Sequence, residues 1–219
     1  MQFEKIRGFA FDLDGVIADT ARFHGQAWHQ VADQVGTPWT AQLADRLKGV
    51  SRMDSLEMIL KAGGHENDYS QQEKVQLATA KNDNYLRLVE TLTPADILPG
   101  MKNFLDELRE KDYLMVLASA SKNAPKVLQY LQLSDYFVGI VDPVTLSHSK
   151  PDPEIYLRAA ELLKLPPAEV AGVEDAQAGI KAINGAGELS IGIGTGLKGA
   201  DICFASTADV SLDKLLELK

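Results

Sequence analysis

The sequence predicts an α/β protein: a doubly wound parallel sheet with an α-helical segment inserted directly after its first strand. Three observations carry this. A short apolar run near the N-terminus stops at Asp12-Leu13-Asp14-Gly15. The stretch from there to about residue 92 shows helical spacing and no strand pattern. Beyond Pro99-Gly100, strand and helix patterns alternate to the end of the chain, which argues for a parallel sheet.

Taken in order, Ile6 to Phe11 reads as a buried strand because its apolar run is ended by two aspartates and a glycine. In the helical stretch, Ala27, Trp28, Val31 and Val35 fall on one face, which Gly36 and Pro38 end. Similar faces recur over 43–47, 56–60 and 75–89. The alternating part then predicts helix 101–110, strand 114–118, helix 124–131, strand 137–141 and helix 153–163, with Pro153 suited to a first turn. Strand 170–173, helix 176–186, strand 190–193, a short run at 202–204 and a last helix at 212–218 follow.

The 219 residues suffice for one sizeable α/β core plus a smaller insertion. No apolar run approaches the ~20 residues of a membrane span. The N-terminus lacks an apolar signal core, and the single cysteine, Cys203, leaves no internal disulfide, so a cytoplasmic setting is expected. Ile202 and Phe204 flank Cys203 and predict a buried packing thiol. The formal net charge of −9 opposes nucleic acid and anionic membranes as partners. A phosphorylated ligand therefore needs local cations or a metal to reverse the sign inside its site.

Four polar clusters stand where strands are predicted to end. They are Asp12-Leu13-Asp14-Gly15, Ser119-Ala120-Ser121-Lys122-Asn123, Ser149-Lys150-Pro151 and Glu174-Asp175. In a parallel sheet the carboxyl ends of the strands share one crevice. Asp12, Glu174 and Asp175 supply hard oxygen donors suited to Mg²⁺. Without a cation they would repel one another and push a proton onto one of them. Lys150 offers a fixed positive charge to a phosphate. Ser119 and the backbone N–H of Ala120, read as a helix start, offer anion donors. Asp14, two residues beyond Asp12, suits a general acid and base. Gly-x-x-x-x-Gly-Lys-[Ser/Thr] is absent, and no Gly-x-Gly-x-x-Gly follows the first strand. Gly192–Gly196 reads as a turn near the rim.

These clusters resemble the haloacid dehalogenase superfamily of phosphotransferases: Asp12-Leu13-Asp14-Gly15-Val16, Ser119, Lys150-Pro151 and Glu174-Asp175 stand at its four motifs. The resemblance covers essentially the whole chain. It implies a core of residues 1–15 and 93–219 and a helical cap of residues 16–92. It implies Asp12 as a nucleophile that forms an aspartyl phosphate and Asp14 as general acid/base. Mg²⁺ would be held by Asp12, the Asp14 backbone carbonyl, Glu174 and Asp175. Ser119, Ala120 and Lys150 would hold the transferring phosphoryl group.

A denser likeness runs through the helical segment. Asp19-Thr20, His24, Trp28, Leu47-Lys48-Gly49-Val50-Ser51-Arg52, Lys81-Asn82-Asp83-Asn84-Tyr85 and Ala118–Asn123 resemble the superfamily's sugar phosphomutases. This implies an isomerase that exchanges phosphate between the 1- and 6-positions of β-D-glucose through a bisphosphate. Thr20, His24, Trp28, Lys48, Gly49, Val50, Ser51, Arg52, Lys81 and Asn82 would touch substrate, with Ser119, Ala120, Ser121, Lys122, Asn123 and Lys150. The expected partners are a sugar phosphate and a sugar bisphosphate, and the family suggests a monomer. A sugar-phosphate phosphatase would share every core residue. What separates the two is a second phosphate site, which Arg52 can supply bidentately, with Ser121, Lys122 and Asn123 adding donors. His24 is expected to contact the Asp14 region or Lys81. Trp28 and Tyr85 read as packing residues of the insertion, His29, His65 and His148 as surface residues, and Asp142 as a loop or capping residue.

Overall fold

The computed structural model of the chain describes residues 3–48 and 50–217. Gly49 and the last helical residue expected from the sequence, Leu218, lie outside these. Six parallel strands form one sheet: β1 (Gly8–Phe11), β2 (Leu114–Leu117), β3 (Gly139–Ile140), β4 (Val170–Glu174), β5 (Leu189–Ile193) and β6 (Ile202–Phe204). Their order is β3-β2-β1-β4-β5-β6. The chain builds outward from β1 through β2 and β3, then returns to β1's other side for β4. That reversal places a crevice at the carboxyl ends of β1 and β4, where ligands of open α/β sheets bind.

The strands alternate between two cores. Phe9, Phe11, Met115, Leu117, Ala171 and Val173 face one cluster, completed by helices α5 (Met101–Glu110), α6 (Ala124–Tyr130) and α9 (Leu212–Glu217). Ala10, Val116, Ala118 and Val170 face the other, completed by α7 (Glu154–Leu163) and α8 (Gln177–Ala186). Burial on both faces is why these strands read as continuous apolar runs. Phe9 stands edge-on to Phe104 and Tyr113, with ring centroids 5.7 and 5.4 Å away.

Between β1 and α5, the described residues form four α-helices, α1 (Ala21–Gln34), α2 (Ala41–Arg46), α3 (Arg52–Gly63) and α4 (Gln71–Val89). Their starts are written in side chains. Thr40 and Ser51 accept backbone N–H groups of α2 and α3, and Ser70 and Glu73 close a reciprocal capping pair at α4. Trp28, Val31, Leu43, Leu56, Ile59, Leu60 and Leu77 make a core of their own. Phe23, Ala27, Tyr85 and Val89, at the near ends of α1 and α4, belong instead to the sheet's core. The chain enters and leaves this insertion at one neck: Ala18 pairs antiparallel with Ile97, and the Leu98 N–H donates to the Ile17 carbonyl at 2.9 Å. No helix among the described residues is long and apolar enough to cross a membrane.

Three expectations are corrected. Strand 137–141 shortens to Gly139–Ile140, because Phe137 follows a 3₁₀ turn over Ser134–Tyr136 and only two residues pair with β2. Cys203 is exposed: β6 is the edge strand, and its middle residue points away from the core. Ser119 and Ala120 do not start a helix, since α6 begins at Ala124. Helix α4 appears where spacing predicts it, although its Val75 is half exposed.

Candidate active site

Register sets the site. Phe11 lies level with Leu117 and with Val173, so Asp12, Ala118 and Glu174 leave the sheet at the same height. Above them α1, the α2–α3 connection and α4 close a cavity of about 490 Å³. Its wall includes Asp12, Asp14, His24, Trp28, Lys48, Val50, Ser51, Arg52, Lys81, Ala120, Ser121, Lys122, Asn123, Glu174 and Asp175.

At the floor, the Lys150 ammonium donates to Asp12 Oδ1 at 2.7 Å and also to Glu174 Oε1. Glu174 further accepts the Tyr156 hydroxyl at 3.2 Å, and its Oε2 accepts the Asp175 and Ala176 N–H groups, each at 3.1 Å. Ligand atoms of Asp12, Glu174 and Asp175 lie within 4.8 Å of one another. Burial drives Asp12 well above the ordinary carboxylate range; the Lys150 ammonium pulls against it, and Glu174 and Asp14 add to the rise. Burial, then Glu174, pushes Asp175 up to about 7. Four clustered carboxylates, counting Asp14, share the buried Lys150 ammonium, with Lys81 acting on Asp14 and Lys48 on Asp175. Such hard oxygen donors with excess negative charge fit a small divalent cation. Glycines make the room. A Cβ at Gly15 (φ +78°) would fall 2.1 Å from Asp175 Oδ2, and one at Gly179 would fall 2.0 Å from Glu174 Oε1.

Asp14 accepts a hydrogen bond from the buried Thr20 hydroxyl, and burial raises its pKa while that bond opposes the rise. Neither aspartate caps α1, which starts at Ala21. His24 Nδ1 lies 2.7 Å from Lys81 Nζ, and its Nε2 is 3.6 Å from Asp14 Oδ2. Burial, then Lys81, holds His24 well below its ordinary pKa, so the imidazole is neutral and Nδ1 can accept from Lys81. Burial, then Arg52, brings Lys81 down to about 7. Its ammonium sits 4.8 Å from the Trp28 ring centroid and 4.9 Å from that of Tyr85.

Away from the floor, Arg52 and Asn123 are joined by Asn82, whose Oδ1 accepts from Arg52 Nη2 at 2.7 Å and from Asn123 Nδ2 at 2.8 Å. With Ser121 and Lys122 these form a second polar end, half from the insertion and half from the sheet core.

Four expected site residues stand one bond behind the wall. Thr20 holds Asp14, Asn82 holds Arg52 and Asn123, Ser119 Oγ accepts the Ser121 N–H at 3.2 Å, and Lys150 holds Asp12 and Glu174. Trp28 serves both readings, lining the cavity while packing in the insertion's core. Sequence reasoning missed Arg22, Trp39 and Pro143 in the wall and Tyr156 beneath Glu174. Arg22 donates to Asp96 at 3.1 Å, and Trp39 stacks on His29 with centroids 5.3 Å apart; neither pairing has a local sequence signal. Asp142 caps a turn by accepting the Val144 N–H. A second trio, His148, Asp152 and Glu154, also comes together. Its carboxylates already accept the Ser147, His148 and Glu154 N–H groups at the entry to α7.

A family model described as haloacid dehalogenase-like hydrolase matches residues 6–187. The chain is 46% identical to a β-phosphoglucomutase of Bacillus subtilis, over 97% of this chain and 95% of that one. It is 30% identical to a phosphorylated carbohydrates phosphatase of Thermotoga maritima, over 81% of this chain and 80% of that one. The crystal structure of a β-phosphoglucomutase from Clostridium difficile superposes with a TM-score of 0.94 at 42% identity, covering 97% of this chain and 96% of that one. Two polar ends under a helical cover, in a sequence this close to those relatives, place the chain: it belongs to the β-phosphoglucomutase family of the haloacid dehalogenase-like hydrolases.

Proposed function

We propose that the chain interconverts β-D-glucose 1-phosphate and glucose 6-phosphate, with residues 16–92 acting as a cap over the sheet core. The observation that carries this is the pairing of two ends in one cavity, Asp12 and Ala120 over the buried Lys150 at one and Arg52 with Ser121, Lys122 and Asn123 at the other. A phosphatase for a single phosphate needs only the first.

The cycle starts from Asp12 carrying a phosphoryl group. The 6-hydroxyl of β-glucose 1-phosphate attacks phosphorus, the bond to the Asp12 carboxylate breaks, and Asp14 takes the hydroxyl proton. β-Glucose 1,6-bisphosphate results and turns round. The Asp12 carboxylate then attacks the 1-phosphate, the bond to O1 breaks, and Asp14 returns the proton to O1. Glucose 6-phosphate leaves. Lys150 balances charge on the transferring oxygens, while Arg52, Lys122 and Asn123 hold the far phosphate. Asp12, Asp14 through its backbone carbonyl, Glu174 and Asp175 would hold Mg²⁺, which when bound supplies electrostatic stabilisation of the phosphoryl group. Thr20 keeps Asp14 turned toward the cavity, and Lys81 with His24 sets the polarity beside it. Lys48, Val50 and Ser51, with Gly49 of the same connection, line the sugar's path. A reducing cytoplasmic setting and a monomer complete the proposal.

The test is to supply β-glucose 1-phosphate, Mg²⁺ and a trace of bisphosphate. Glucose 6-phosphate is expected; inorganic phosphate alone would sink the reading. Arg52→Ala should lower isomerisation about a hundredfold, the worth of a lost charged bidentate contact, and leave hydrolysis of a small phosphate ester nearly intact.

A further inference from the structure

A further polar contact crosses from the insertion to the sheet core, made by residues outside the cavity just described. Asp54 is the third residue of α3, two beyond Arg52. Its Oδ2 accepts the Ser51 hydroxyl at 2.5 Å and the Ser149 hydroxyl at 3.0 Å. Ser51 is the N-cap of α3, and its oxygen accepts the Asp54 N–H in return. Ser149 directly precedes Lys150, whose ammonium holds Asp12 and Glu174. One carboxylate therefore joins the turn that presents Arg52 to the loop that presents Lys150. Ser51, Arg52, Asp54, Lys122, Ser149 and Lys150 line an adjoining cleft of about 380 Å³, which shares Ser51, Arg52 and Lys122 with the cavity wall.

We propose that Asp54 and Ser149 are positioning residues that latch the cap shut. Their bond forms when the far phosphate draws Arg52 onto the core, and it keeps water from the aspartyl phosphate. Among the described residues the Ser149 side chain makes no other hydrogen bond, so the contact supports neither part's own fold. It exists only when the two parts meet. Its exposed setting also suits a latch that must release, because the bisphosphate has to turn between the two half-reactions. A bond of this kind shifts the closed-to-open ratio by about tenfold. The proposal rests on the mutase reading.

The test uses Ser149→Asp, which sets a second carboxylate against Asp54, and the same change combined with Asp54→Asn, which restores a donor opposite it. In Ser149→Asp, phosphate released per glucose 6-phosphate formed should rise about tenfold, and KM for β-glucose 1-phosphate should rise more than kcat changes. Hydrolysis of p-nitrophenyl phosphate should stay near wild type. The double variant should return the ratio to near its original value, which loss of general stability would not do. An unchanged ratio in the single variant, or no recovery in the double, overturns the latch. If Ser149→Asp does not fold, Ser149→Ala carries the test with about a threefold rise, and an unchanged ratio overturns it. Wild-type enzyme that makes no glucose 6-phosphate would defeat the mutase reading instead. The latch would then be read from the hydrolysis rate of the phosphorylated enzyme with glucose 6-phosphate bound, whose phosphate supplies the far anion, faster in Ser149→Asp if the latch holds and unchanged if it does not.

Discussion

Glu188 follows the left-handed Gly187 that ends α8 and is 5% exposed. Neither carboxylate oxygen has a hydrogen-bond partner. Burial alone pushes its pKa well above the ordinary 4.5. The sign follows from proton counting. The folded protein holds the proton over a range where the unfolded chain has lost it, so stability falls as pH rises from about 4.5 toward the raised value. Glu188→Met should therefore gain thermal stability over wild type as pH climbs from 4.5 to 7.5, by about 1–3 kcal/mol at the top, and show the smallest difference at pH 4.5. A melting series in matched buffers reads this directly. Single residues also show where sequence reading stops. Asp12, Asp14, Glu174 and Asp175 are legible because short motifs at strand ends have few other uses. Thr20, Asn82, Ser119 and Lys150 are legible as site residues, but their place one bond behind the wall is not. That depends on which side chains the fold sets beside them. Cys203 misled because apolar neighbours in a strand do not say whether the strand is an edge.

At the scale of elements, β1, β4 and the helix after β4 act as one rigid mount. Helix α8 passes so close to Glu174 that only a glycine fits at position 179. Gly179→Ala should displace the Glu174 carboxylate from Lys150 and Tyr156, costing about 1–3 kcal/mol of stability from overpacking and most of the isomerase turnover. Chemical denaturation and a turnover assay on the same sample test both. The α2–α3 connection and the first turn of α3 form the complementary mount on the cap side. Asn82, on α4, ties that turn to the sheet core; Asn82→Ala should unhitch Arg52 from Asn123, raising KM about tenfold while changing kcat less, since the bond is made to a charged group. Initial-rate kinetics with β-glucose 1-phosphate decide it. The helices and their caps were readable from periodicity and from Thr40, Ser51 and Ser70. The contact between Asp54 and Ser149 was not, because the two residues lie 95 positions apart and neither belongs to a motif.

For the whole molecule, the charge problem posed by composition is solved locally. The chain carries a formal net charge of −9, yet Lys48, Arg52, Lys81 and Lys122 face one cavity, and Lys150 lies under its floor. The acidic cluster at the floor should still make the protein respond to divalent ions. With EDTA the isomerase should stop. Mg²⁺ at about one hundred times its Kd should raise the melting midpoint by about 5 °C or more. Asp175→Asn should lose most of that shift, because it removes a negative donor from the trio. Differential scanning calorimetry with and without Mg²⁺ measures both.

The neck at Ala18 and Ile97 has a consequence for descent. The chain leaves the sheet and returns to it at hydrogen-bonded neighbours, so one contiguous stretch of gene encodes nearly everything that roofs the cavity. Exchanging that stretch would replace the roof and leave Asp12 where the strand order put it.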